Sequence, residues 1–224
     1  MYQYGVDSVK NLGLNFRSFN VKSWNWFGLV GGALTLVLTV ASMFVPWWQI
    51  TVGRTLAIIG LSPVSLSTNI VGFIVALPII AAVSWMFMVL LISAGIILII
   101  YSIVPTKPYS ERLLGFAYKK PLGTLIAFVV LMLLLTNAGT VFGMMSGPSL
   151  SGADLNVPWT GAKTLHLPSS MAQGTLLGIA ISAEIEWTFW LAVIVAGLCV
   201  AARLYHKKLV RPTADKKTEQ TSQE

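Results

Sequence analysis

Apolar positions in this chain gather into long unbroken runs separated by short polar clusters, and after the first run the period changes. From Phe27 to Val45 no residue is more polar than Ser or Thr. At about 1.5 Å per residue, such a run approaches the roughly 30 Å hydrocarbon core of a bilayer. Pro46 closes it, because the residue before a proline is biased out of the α region. The run predicts a first membrane span over 26–45. Beyond Trp48 the spacing becomes two. Ile50, Val52, Leu56, Ile58, Val64 and Leu66 take even positions, while Gln49, Thr51, Gly53, Thr55, Ser65 and Ser67 take odd ones. That alternation, broken near Gly60 to Pro63, predicts a hairpin or pair of strands with one apolar face, in an outer loop over 46–77. Open strand edges are not tolerated in lipid, so this sheet is expected outside the hydrocarbon layer.

Asn69 to Val104 holds no charge. A proline is acceptable in a first helical turn, so a second span is expected over 78–104, with Ile70 to Leu77 completing the outer segment. The alternative is one helix from Ile70, kinked at Pro78. A basic cytoplasmic loop over 105–121 and a third span over 122–143 follow. The second outer loop, 144–186, begins rich in Gly, Ser and Pro. It then turns strand-like, with Leu177, Ile179, Ile181 and Ile185 alternating with Gly178, Ala180, Ser182 and Glu184. The fourth span is expected over 187–204, and 205–224 reads as a disordered cytoplasmic tail. Residues 1–25 place Val9, Leu12, Phe16 and Phe19 at helical spacing among Lys10, Arg17 and Lys22. They read as a cytoplasmic interfacial segment rather than a cleaved signal peptide. The fold class is a membrane all-α four-helix bundle with a small extracellular β-sheet built from the two outer loops.

Composition agrees: 55% of residues are hydrophobic and 10% charged, against about 25% charged in soluble domains. The net charge of +7 does not indicate nucleic acid, because the basic residues cluster between apolar runs. With four spans, only Arg54 and Lys163 among the 15 Lys and Arg fall on the outer side. The positive-inside rule then puts both termini in the cytoplasm of a multi-pass plasma-membrane protein. Five spans would place the basic tail outside. The outer loops contain no glycosylation sequon and no cysteine, which points to a prokaryotic membrane. The single cysteine, Cys199, allows no disulfide within the chain.

Candidate chemistry is sparse. His166 falls in an outer loop and His206 beyond the last span, so facing axial haem ligands are not expected, and no cofactor or metal is inferred. Met86, Met88 and Met132 read as packing residues. Small residues four apart mark close helix approach: Gly28 with Gly32, Gly139 with Gly143, Ala192 with Ala196, and Gly197 with Ala201. Trp24, Trp26, Trp47, Trp48 and Trp187 are expected as interface aromatics at the headgroup levels. Asn137, Glu184 and Glu186 are the candidate polar or ion site. Two carboxylates two apart on a strand share a face, although a polar strand face explains them as well.

These features predict a non-catalytic tetraspan, either an accessory subunit of a larger membrane complex or a cell-surface interaction protein. Its partners would be the bilayer and other membrane subunits, with a homo-oligomer left open and nucleic acid excluded. The alternative is a small transporter or channel using Asn137 and the two glutamates; a third reading is a membrane enzyme acting on lipid or quinone.

Pro46-Trp47-Trp48 just past the first span, the 50–66 alternation, and the strand from Leu177 to Glu186 leading into Trp187 together resemble the claudin-type tetraspan layout, shared with the peripheral myelin protein relatives. That resemblance implies a left-handed bundle topped by a small extracellular sheet, with an adhesion, barrier or accessory role. The W-GLW-C-C signature of that group has no counterpart in this chain.

Overall fold

A computed structural model describes residues 24–53, 56–74, 78–103, 110–137, 156–166 and 178–221. Its elements are α1 (Trp26–Phe44), β1 (Trp48–Val52), β2 (Ala57–Leu61), β3 (Leu66–Ile70), β4 (Phe73–Ile74), α2 (Pro78–Ile103), α3 (Ser110–Ala117), α4 (Lys119–Thr136), β5 (Gly161–His166), β6 (Gly178–Ile185) and α5 (Trp187–Thr221). Four helical stretches are long and apolar enough to cross a membrane: Trp26–Phe44, Ala81–Ile103, Glu111–Thr136 and Trp187–His206.

Each end of α1 has a local cause. Asn25 caps it by accepting from the Gly28 N–H at 3.2 Å. Val45, ahead of Pro46, is extended at φ −119° and ψ 121°. Along the helix, Thr35 and Thr39 donate back to the carbonyls of Gly31 and Thr35 at 2.7 and 2.8 Å, which satisfies hydroxyls that lipid cannot. Helix α2 begins at Pro78, the residue that sequence reasoning places in its first turn.

The strands form one antiparallel sheet in the order β4-β3-β2-β1-β6-β5, richer than the predicted hairpin. The expected phase also fails at β2. Ile50 pairs with Ile59, and Thr51 with Ile58, so Ile58 shares a face with the polar positions. The turn containing Gly53, at φ +58°, shifts the register between strands, and a single alternation cannot report such a shift. Strand β5 was not expected at all; its GAKTLH lacks β-branched alternation and gains its place by pairing with β6.

Other boundaries also differ. The basic loop over 105–121 contains α3, and α4 starts at Lys119 and ends at Thr136 rather than spanning 122–143. Helix α5 runs on to Thr221, past the 187–204 expected for the fourth span. The predicted interfacial helix in residues 1–23 lies outside the described residues.

The core joins helices to sheet. Leu38, Leu98, Phe128, Met132, Val195 and Cys199 pack with Trp47, Trp48, Ile50, Ile181 and Ala183. Helix α1 packs along both α2 and α5, whereas α4 rests mainly on α5. A polar knot ties the opposite end of the bundle. Asn25 is fully buried and donates from Nδ2 to Tyr101 Oη at 3.1 Å and to the Ala202 carbonyl at 2.9 Å; its backbone N–H donates to the Ser102 carbonyl at 3.0 Å. One side chain thus links three helices.

Candidate functional site

The junction between sheet and bundle depends on two residues expected at the headgroups. Trp47 and Trp48 are 1% and 0% exposed. Strand β1 starts within four residues of α1, so the chain turns both rings under the sheet instead of out to the interface. Buried indole N–H groups need acceptors. Trp47 Nε1 donates to Ser42 Oγ at 2.7 Å, and Trp48 Nε1 to the Trp159 carbonyl at 2.9 Å. Trp47 also meets Phe128 edge-on at 5.0 Å. Thr188 Oγ1 donates to the Pro46 carbonyl at 2.6 Å, and Ser65 Oγ to the Ser42 carbonyl at 2.8 Å. The sheet is therefore pinned to α1 and α5. Trp26 and Trp187 are exposed, and Trp24 lies tilted against Trp26 with ring centroids 5.7 Å apart.

On the other side, between α2 and α4, the packing stays open. A cavity of about 520 Å³ lies there under the inner face of β1, β2 and β3. Its sheet wall includes Ile50, Ile59, Leu61 and Leu66; Val83, Ser84 and Phe87 come from α2, and Thr124, Phe128 and Leu131 from α4. Among the described residues that line it, none is charged. The volume falls within the roughly 300–1,000 Å³ of small-molecule sites. Val83 and Leu131 line the cavity yet are exposed, so its mouth opens on the outer surface of the bundle.

The predicted polar site does not assemble. Asn137 follows α4 and donates from Nδ2 to its own helix, to the Leu133 carbonyl at 2.8 Å, and it is not among the described residues that line the cavity. Glu184 pairs with Gln49 on the sheet face opposite the cavity; Glu186 lies past the strand, where its N–H donates to the Trp47 carbonyl at 3.0 Å. Among the described residues, no group of three or more His, Cys, Asp or Glu is placed to hold a metal. His206 lies within α5 rather than beyond the span, buried against Tyr101 with ring centroids 5.4 Å apart.

The small-residue pairs divide. A Cβ on Gly28 would collide with Ser102 Oγ, and one on Gly32 would come within 2.8 Å of the Gly95 carbonyl, so both lie at the α1–α2 contact. Ala192 and Ala196 are buried. Gly197 faces open space and Ala201 is only half-buried, so that pair marks no close approach. Gly139 and Gly143 lie outside the described residues. Sequence reasoning missed Gly95, the true partner of Gly32, because no second small residue stands four away from it in α2. It also missed Asn25, although an Asn just before an apolar run is a capping signal.

The chain matches no family model, no curated protein and no solved structure. Its class rests on its own helices: four stretches fit for spanning a membrane, in a tetraspan layout with an antiparallel sheet at one end.

Proposed function

We propose that the protein is a non-catalytic four-span membrane protein that holds a neighbouring membrane protein against the tip of its sheet. One observation carries this reading. At the β3–β4 hairpin, Ile70, Val71 and Phe73 are exposed at 44%, 65% and 76%, beside Leu56 at 54%. A patch of this kind outside a core is a common sign of a protein–protein surface. Val71 adopts φ 52°, ahead of Gly72 at φ 84°. For a β-branched residue this conformation costs roughly 1–2 kcal/mol. Retaining such strain while turning a valine outward favours a role in contact. The claudin-type resemblance supports the same role at the level of layout only. The segregation of Lys and Arg supports cytoplasmic termini and an outward-facing sheet.

The test is recovery of the full chain from native membranes in mild detergent. A partner should accompany it in fixed ratio, and F73D should release that partner while the thermal transition of the chain stays unchanged. Purification of the chain alone, or undiminished recovery with F73D, would overturn the proposal.

A further inference from the structure

The cavity between α2 and α4 is a binding site that the role at the sheet tip does not use. We infer that it takes the hydrocarbon chain of a lipid from the surrounding bilayer. Three observations point to that occupant. The described wall residues are aliphatic and aromatic, with hydroxyls such as those of Ser84 and Thr124 but no charge, so they offer neither a cation nor a phosphate a counter-ion. The mouth lies between two helices fit for spanning a membrane, where Val83 and Leu131 are both cavity wall and outer surface. It is therefore continuous with the lipid-facing side of the bundle, where hydrocarbon is the solvent. Finally, the lining on α4 runs from Thr124 to Leu135, about 16 Å at 1.5 Å per residue. A long, narrow, apolar space suits an extended chain better than a compact ring.

The experiment uses the full chain in phosphatidylcholine vesicles carrying a diazirine within one acyl chain, with labelled residues mapped by mass spectrometry after irradiation. Label is expected on Phe128 and Ser84, which are only 4% and 7% exposed, as well as on outward residues such as Val89 and Ile96. Ala127→Phe, which fills the cavity, should abolish the label at Ser84 and leave that at Val89. Because A127F is open to misfolding, Val83→Trp at the exposed mouth is the second variant, with the same expected loss. Label confined to outward residues would overturn the inference, whether the space is held by another segment of this chain, a second copy or a partner. Label at Ser84 that persists in both variants would overturn it equally. The readout is independent of any partner at the sheet tip, so either idea can fail without the other.

Discussion

The two flanks of this bundle are built from similar apolar residues and behave in opposite ways. Between α1 and α2, glycines at 28, 32 and 95 let backbones approach until a single added carbon would collide with the facing helix. Between α2 and α4, Phe128 and Leu131 share a cavity wall with Val83 and Phe87; Ser84, Thr124 and Ala127 line it too, but no glycine is among the described lining residues, and about 520 Å³ stays open. In a bilayer, burying an apolar side chain in protein removes it from hydrocarbon rather than from water, so helix association depends on van der Waals packing. Glycines seal one flank; the other, with none among its described lining residues, stays open.

The strongest way to break the contrast is at the junction both flanks share. Trp47→Ala removes the ring packed on Phe128 and Phe189 and the donor to Ser42. We expect a loss of about 3–5 kcal/mol, the range for large aromatic truncations in a core. Thermal unfolding in detergent, followed by far-UV circular dichroism, would show it as a large fall in midpoint. A fall no greater than that of Trp26→Ala, whose ring is already exposed, would mean that the sheet is not anchored there.

Next comes the sealed flank. In Gly32→Ala the new methyl would stand 2.8 Å from the Gly95 carbonyl, which is backbone and cannot turn aside. Overpacking of this kind costs about 1–3 kcal/mol. Gly197→Ala is the matched control, with nothing within 4 Å of its added carbon and a gain in helix propensity of up to about 1 kcal/mol. Opposite signs in the two unfolding midpoints are the expected result, and equal signs would show that Gly32 does not sit at a close helix contact.

How much of this was legible beforehand depended on how local the cause was. Prolines 46 and 78 act on their own neighbours, so the end of α1 and the start of α2 could be read directly. The long apolar runs announced four spans for the same reason. Strand β5 could not be read, since its residues have little β preference and are held by β6 from across a gap in sequence. The phase of β2 depended on one glycine turn. Burial of Trp47 and Trp48 depended on where β1 docks, and the motif that sets an aromatic at a headgroup boundary looks identical to one that turns it under a sheet. The place of Asn137 was illegible for a related reason: Asn137 as a helix end and Asn137 as a pore residue share the same sequence context. The cavity had no signal at all, because a gap belongs to no residue.

The finest test separates neighbours on one helix. Met132 and Leu131 are adjacent in α4, yet Met132 is 1% exposed among Phe128 and the tryptophans, while Leu131 stands at the cavity mouth at 42%. Truncating Met132 to alanine leaves a void that surrounding protein fills only in part, so about 2–5 kcal/mol is expected. Truncating Leu131 enlarges a space that fluid hydrocarbon already reaches, and hydrocarbon replaces the lost atoms without rearranging the protein. The cost there should stay near 0.5 kcal/mol, the scale of a surface change. A Leu131→Ala loss as large as that of Met132→Ala would mean that protein, not lipid, fills the flank, and the contrast between the two sides of the bundle would disappear.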